Sequence, residues 1–459
     1  DNLAREGLRT LVFGQKVLEE AEWLAFEERY QQAKADVEDR DRLVAEAIES
    51  IEVGLELLGL TGVEDKLQLN VRRTLESLRH AGVKIWMLTG DKRETATCIA
   101  ISSKLVSARN HELYQFEAST QSEAERLLVD FSSRGPDTAM IVDGGSLELL
   151  LGSLREQFFE AAKAAPAVVC CRCSPTQKED VVKMIRSLST ERTAAIGDGG
   201  NDVSMIQAAH VGVGIVGKEG KQAALAADFS VLQFSHLQSL LFWHGRNSYK
   251  RSAMLSQYVI HRGLIISFIQ AIFSAVFYMA PVTIYTGMLL FGYSVWYTLL
   301  PAFALVLDED IQKCDAFLYP ELYESLRTGR SLNAKTFLIW VLVSMFQAMA
   351  IMCSVLFLDV PSYFNMVAVS FTALVFTELL DVAMVTRTWT LLMALAQVSS
   401  FALYPLCMLI LPGYYYIQYC ASWSFWWRTA VLTALACLPV GFFKFFVERL
   451  NPAAAKKLY

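Results

Sequence analysis

From Gly263 to Leu307, 45 consecutive residues carry no Asp, Glu, Lys or Arg. One apolar helix crosses a bilayer with about 20 residues. The stretch is therefore long enough for two spans, and Ala280-Pro281 offers the tight turn between them. Further apolar runs lie at about Phe337 to Leu358, Phe364 to Val385, Leu391 to Leu411 and Arg428 to Phe446, which predicts six spans in all. The rest of the chain is different. Residues 1–250 hold 37 of the 47 acids and 29 of the 41 bases, against 10 acids and 12 bases in residues 251–459. A charged half with a net of about −8 thus precedes a nearly uncharged, slightly basic one. Neither half has the clustered basic surface that nucleic-acid binding requires. The chain starts Asp-Asn-Leu, with no initiator Met or signal-like apolar stretch, and reads as an internal or processed start.

The bases that flank the spans set an expected orientation. Arg246, Lys250, Arg251 and Arg262 precede the first span, Lys313, Arg327, Arg330 and Lys335 lie between the second and third, and Arg387 follows the fourth. Lys444, Arg449, Lys456 and Lys457 close the chain, whereas the loops around Pro281 and Pro361 carry no base and the one around Gly413 has only Arg428 at its edge. The positive-inside rule then places the charged half, the basic loops and the C-terminus in the cytoplasm. His261 and Arg262 at the first span, and Asp308, Glu309 and Asp310 at the end of the second, are expected to snorkel at the interface or line a substrate path. Glu378 and Asp381, three apart on one face of the fourth span, fit either an interhelical or a functional role. Trp296, Tyr297, Tyr414, Tyr415, Tyr416, Trp423, Trp426 and Trp427 predict an interfacial belt.

In the charged half, residues 15–57 have the composition and spacing of one long helix or a helical pair. Short apolar runs follow at Val83–Leu88, Ala139–Val142, Ala167–Arg172, Thr193–Ile196 and Val211–Ile215. Amphipathic stretches separate them: one from about Glu94, Ser153–Ala164, Gln177–Leu188, one from Asn201, and Gly220–Ala227. Strand–helix alternation of this kind predicts a mostly parallel sheet covered on both faces, with ligands beyond the carboxyl ends of its strands. Those ends carry Thr89-Gly90-Asp91-Lys92, Asp143-Gly144, Arg172 with Lys178, and Gly197-Asp198-Gly199-Gly200-Asn201-Asp202. A hydroxyl, an ammonium and paired carboxylates at one sheet edge suit a phosphoryl group and a divalent metal. The glycines admit backbone amides to an anion, and Asn201 opens the next helix. Gly212-Val213-Gly214-Ile215-Val216-Gly217 matches a dinucleotide fingerprint, but its glycines fall within a strand and not in a turn that opens a helix. Cys170, Cys171 and Cys173 are expected to be small buried side chains on a strand, with no zinc spacing and no disulfide framework.

These residues resemble the haloacid-dehalogenase-like phosphorylation domain of P-type ATPases. Thr89-Gly90-Asp91 is similar to the second phosphate-binding motif, Lys178 to the phosphate-site lysine, and Gly197-Asp198-Gly199-Gly200-Asn201-Asp202 to the Gly-Asp-Gly-x-Asn-Asp hinge. The strings Glu6-Gly7-Leu8-Arg9-Thr10-Leu11, Val63-Glu64-Asp65-Lys66-Leu67-Gln68, Cys171-Arg172-Cys173-Ser174-Pro175-Thr176-Gln177-Lys178 and Gly217-Lys218-Glu219-Gly220-Lys221-Gln222-Ala223 resemble the type IV subfamily, the phospholipid flippases. His261-Arg262-Gly263 and Leu305-Val306-Leu307-Asp308-Glu309-Asp310 are similar to the branch that works without a β-subunit in Golgi and endosomal membranes.

The resemblance implies an α/β, Rossmann-like cytoplasmic domain followed by an all-α six-span bundle. It implies ATP as substrate and Mg²⁺ as cofactor. Thr89 and Lys178 would contact the phosphate, Asp198 would bind Mg²⁺ with Asp202 beside it, and Asn201 and Asp202 would orient the phosphate. Gly90, Asp91 and Arg172 would border the nucleotide, and His261, Arg262 and Asp308 are the substrate-path candidates. Residues 1–14 would close the nucleotide-binding domain, 15–240 belong to the phosphorylation domain, 241–262 form a stalk, 263–447 the spans and 448–459 a tail. Arg262 and Gly263 stand where other flippases carry Lys and Asn. The nucleophile motif Asp-Lys-Thr-Gly-Thr and the actuator motif Asp-Gly-Glu-Thr do not occur. The chain is therefore expected to be the C-terminal portion of a flippase, inactive alone, with the N-terminal portion and membrane phospholipids as partners. A cation pump of the same superfamily and a non-catalytic fragment are the alternatives. Which phospholipid moves is not legible.

Overall fold

The computed structural model describes residues 8–35, 39–64, 67–107, 111–135, 137–217, 220–279, 281–328, 331–358, 360, 362–410, 412, 415 and 417–450. Glu6, Gly7, Asp65, Lys66, Lys218, Glu219, Ala280, Arg330, Pro361, Leu411, Gly413, Tyr414, Tyr416, Lys456 and Lys457, used above, lie outside the described residues. The chain divides into two compact units, Asp1–Glu76 with Lys84–Ser235, and Ser77–Val83 with His236–Tyr459.

The first unit opens with β1 (Leu8–Gln15), the helices α1 (Glu20–Ala35) and α2 (Arg40–Ile51), and β2 (Glu56–Glu64). The expected helical pair is present. The flanking strands were not foreseen, because β2 finds its antiparallel partner β1 about 50 residues back and only a long-range ladder defines either one. That ladder runs through Gly14 and Gln15, so the boundary expected after residue 14 falls inside β1.

Beyond α3 (Val71–His80), strands and helices alternate. In order they are β3 (Trp86–Leu88), α4 (Arg93–Ser102), β4 (Glu112–Phe116), α5 (Gln121–Ser133), β5 (Thr138–Asp143), α6 (Gly144–Gly152), α7 (Arg155–Ala164), β6 (Val168–Cys171) and α8 (Pro175–Leu188). Then come β7 (Ala194–Gly197), α9 (Val203–Ala208), β8 (Val211–Ile215), α10 (Gln222–Ala226) and β9 (Phe229–Val231). The strands form two parallel sheets, ordered β3-β6-β5-β4 and β7-β8-β9. Alternate residues serve alternate faces. Met140, Val142, Val168 and Cys170 pack with Leu147, Phe158 and Val181, whereas Ala139, Ile141, Val169 and Cys171 pack with Ala96 and Ala100. The central strands are thus apolar throughout because helices cover both sides. A Cβ on Gly212 would stand 2.6 Å from Ile206, and one on Gly214 would stand 2.4 Å from Ala224. The fingerprint glycines of β8 let α9 and α10 lie close against the strand.

Among the described residues, the second unit holds six helices long and apolar enough to cross a membrane: α11 (His236–Val276), α12 (Gly287–Leu307), α13 (Ala334–Phe357), α14 (Tyr363–Val385), α15 (Leu391–Ile410) and α16 (Trp423–Leu450). α11 is continuous through the stretch expected as a separate stalk. α14 is the most enclosed, packed by α12, α13, α15 and α16. Pro301 interrupts α12, since it offers no N–H to the preceding turn. Nearby, Thr298 Oγ1 donates to the Tyr293 carbonyl at 2.6 Å. Gly292 leaves room for the Tyr297 ring, which a Cβ there would approach to 2.7 Å. Tyr297 and Tyr415 are corrected from the expected belt to the core: both are buried, edge-on to Tyr404 with ring centroids 4.9 and 6.2 Å apart. Trp296, Trp423, Trp426 and Trp427 are exposed as a belt requires.

Candidate functional site

Each unit gathers charged side chains at one place. In the first, β3 and β6 end side by side and their loops are joined by backbone bonds. Thr89 N–H donates to Cys170 O at 2.9 Å, Cys173 N–H to Thr89 O at 2.9 Å, and Arg172 N–H to Asp91 O at 3.0 Å. Thr89 Oγ1 donates to Asp91 Oδ2 at 3.0 Å and accepts from Asp91 N–H at 3.1 Å, which fixes the hydroxyl at the strand end. Arg172 takes a left-handed φ of 51° as the chain leaves β6. A Cβ on Gly144 would stand 2.5 Å from the Arg172 carbonyl, so only glycine fits beside that turn.

The start of α8 positions Lys178. Gln177 N–H donates to Ser174 Oγ at 3.2 Å and Ser174 N–H to Gln177 Oε1 at 3.0 Å, a reciprocal cap completed by Pro175 in the first turn. Gln177 Nε2 also donates to Gly144 O at 2.9 Å. One residue on, Lys178 is buried and its Nζ donates to Asp202 Oδ1 at 2.8 Å. Asp202 in turn lies over Gly197, where a Cβ would come within 2.4 Å of the Asp202 Cβ. Leu88 of β3 packs with Val182, Ala195 and Met205, so apolar contacts and one ion pair connect the two sheets. Asp198, Asn201, Gly90 and Arg172 are exposed at the strand ends. The structure therefore brings Lys178 together with Asp202 and leaves the Asp198 carboxylate open. Among the described residues, β3 and β7 are each hydrogen bonded to a neighbouring strand on one side only. Cys170 and Cys171 are buried on β6, and burial pushes the Cys171 thiol up to about 12.

In the second unit the three path candidates separate. Asp308 accepts from the N–H groups of Arg387 and Thr388 at 3.1 and 2.8 Å and from Thr388 Oγ1 at 2.9 Å. Asp310 is buried against Arg246, at 2.7 Å, and also pairs with Arg387. Asp308 thus holds the end of α12 to the segment after α14, and Asp310 holds it to α11. Arg262 donates to Ser294 O at 3.0 Å and lies over the Tyr293 ring. His261 instead faces the bundle interior, fully buried, with Nδ1 2.7 Å from Ser344 Oγ and Nε2 3.3 Å from Asp381 Oδ2. Ser344 and Gln347 were not singled out from the sequence. Their signal was two polar residues three apart on one face of an apolar helix.

A profile described as phospholipid-translocating P-type ATPase C-terminal matches residues 224–453, and one for haloacid dehalogenase-like hydrolase matches residues 5–210. The chain is 52% identical to the zebrafish (Danio rerio) "Probable phospholipid-transporting ATPase IIB" over 100% of its own length and 40% of that relative. It is 48% identical to the Caenorhabditis elegans "Probable phospholipid-transporting ATPase tat-5", over 100% of its length and 43% of the relative. With the Saccharomyces cerevisiae phospholipid-transporting ATPase NEO1 the identity is 45%, over 100% and 40%. The chain spans about two fifths of the length of these curated relatives. With the first profile covering half of its residues, the chain belongs to the phospholipid-translocating P-type ATPase family.

Proposed function

We propose that the chain is the C-terminal part of an ATP-driven phospholipid flippase, in which an aspartyl-phosphate cycle moves lipid headgroups to the cytoplasmic leaflet. The reading rests above all on two strand edges. β3 and β7 each lack a neighbour on one side among the described residues, and their carboxyl ends carry Thr89 and Asp198. A strand from outside this chain, with the attacking Asp at its end, would bring that carboxylate between them. Thr89 then donates to the phosphoryl oxygens, and Lys178, oriented by Asp202, neutralises charge on them. Asn201 offers its amide at the same edge, and Gly90, Asp91 and Arg172 border the nucleotide.

The donor set fits Mg²⁺, which takes one or two carboxylates and completes its shell with phosphate and water. Asp198 is the open carboxylate, while Asp202 is engaged by Lys178. Bound there, the ion would supply charge neutralisation for the phosphoryl group. Action without a β-subunit, Golgi and endosomal location, and a cytoplasmic first unit and C-terminus belong to the same reading. The Lys/Arg distribution around the spans supports the orientation, and the strings at His261 and Leu305 resemble the branch in question. The same reading divides the chain after residues 14, 240, 262 and 447, of which the first falls inside β1 and the next two inside α11.

The test is phosphoenzyme formation and phospholipid-stimulated ATP hydrolysis by the complete protein, compared with Asp198→Asn. The parent should show both and the variant neither. Hydrolysis stimulated by ions but not lipid would favour a pump, and no hydrolysis under any condition would favour a non-catalytic part.

A further inference from the structure

Inside the bundle, two carboxylates and an imidazole meet without a Lys or Arg partner among the described residues. His261 on α11 lies 3.3 Å from Asp381 and 3.8 Å from Glu378, both on α14, and all three are buried. The groups facing them come from every neighbouring helix. Tyr258, on the same helix as His261, donates to Glu378 O at 3.2 Å, and Tyr293 of α12 donates to Glu378 Oε1 at 2.9 Å. From α13, Gln347 Nε2 donates to Asp381 at 2.9 and 3.2 Å, Ser344 meets His261, and Trp340 stands edge-on to the imidazole. From α16, the Cys437 thiol lies 4.0 Å from Thr377 O. On α11, the Arg262 guanidinium next to His261 in sequence donates to Ser294 O and lies over the Tyr293 ring. On α15, Gln397 donates to Leu379 O.

Charge accounting constrains this cluster. With both carboxylates ionised, even a doubly protonated His261 leaves an excess negative charge in a low-dielectric interior, where each uncompensated ion costs several kcal/mol. Hydrogen-bond accounting points the same way. Glu378 Oε2 and Gln347 Oε1 are buried without a partner, and both are acceptors. The cluster is short of donor hydrogens, and unsatisfied buried groups of this kind mark a missing ligand or a functional charge.

We propose that His261, Glu378 and Asp381 form an exchangeable proton-binding site, whose occupancy is linked to the packing of α11 against α13 and α14. A proton taken from water resides on a carboxylate oxygen or on Nε2 of His261. It supplies the absent donor and is returned to water when the helices part. This inference stands apart from the identity of the transported substrate.

The experiment uses the complete protein in lipid-supplemented detergent and measures thermal stability and phosphoenzyme decay across pH 5 to 8.5. Proton uptake relieves the buried negative charge. The parent should therefore lose thermal stability as pH rises through a titration step, and decay should change across the same step. Glu378→Gln should lose the step in both readouts. Tyr293→Phe, which retains all three titrating groups, should shift the step without removing it. Asp381→Asn provides the same test if Glu378→Gln does not fold. Superimposable profiles for parent and neutralised variants would overturn the proposal, as would a step governed by Na⁺ or K⁺ at fixed pH. Loss of lipid-stimulated hydrolysis in the parent would strike the flippase reading alone, since the stability step would remain.

Discussion

Lys178 with Asp202 in the first unit and His261 with Asp381 in the second each set a basic nitrogen against a carboxylate, yet they are assembled in opposite ways. The first pair sits where strands end. A parallel sheet delivers its loops to one edge, so the residues that act together also form contiguous strings, from Thr89 to Asp91 and from Gly197 to Asp202. The second draws single residues from α11, α13 and α14, each embedded in an otherwise apolar helix. The sheet site leaves Asp198 open for a ligand, whereas the bundle site is closed and short of hydrogen. The open Asp198 carboxylate has no partner to strand among the described residues, whereas removing one member of a closed, buried cluster leaves the others uncompensated.

That contrast breaks first at Lys178. Lys178→Ala in the complete protein should cut phospholipid-stimulated ATP turnover by about 10²–10³-fold, the usual loss when one fixed charge is taken from a transition state. Steady-state hydrolysis measures it, and a loss of under fivefold would remove Lys178 from the chemistry. The bundle should respond in stability instead. Asp310→Ala leaves Arg246 buried and unpaired and should cost about 3–5 kcal/mol, read by thermal unfolding in detergent, while replacing both residues with apolar ones of similar size should restore most of that. If Asp310→Ala melts like the parent, the ionic connection at the end of α12 is dispensable. The smallest effect concerns thiols. Cys314 is exposed and should be alkylated readily at pH 8, whereas Cys171, pushed up to about 12 by burial, stays protonated and unlabelled until the protein is denatured. Mass spectrometry of the labelled protein distinguishes the two.

Legibility followed the same division. The core strands could be read because β5 and β6 are buried on both faces and appear as unbroken apolar runs. β4 was missed because Glu112-Leu113-Tyr114-Gln115-Phe116 mixes polar and apolar residues at a sheet edge, and β9 because it is three residues long. The glycines of β8 mimicked a nucleotide fingerprint since close helix packing and phosphate approach ask for the same missing side chain. In the bundle the spans were plain from their length, but facing partners are a property of packing. Glu378 and Asp381 were visible as a pair, whereas Tyr293, Ser344 and Gln347 acquire meaning only once three helices are side by side. Tyr297 and Tyr415 looked interfacial because an aromatic at a span end carries no mark of which way it turns.

α11 runs unbroken for 41 residues. At about 1.5 Å per residue it is a rod of roughly 60 Å, twice the hydrocarbon thickness of a bilayer. Such a rod is a lever, stiff along its length, with a wider π-helical stretch at Ser239–Gly245 able to take up slack near one end. A twist or pull applied at Arg246 would travel to His261, about four turns away, within one continuous helix and without a relay of intermediate contacts.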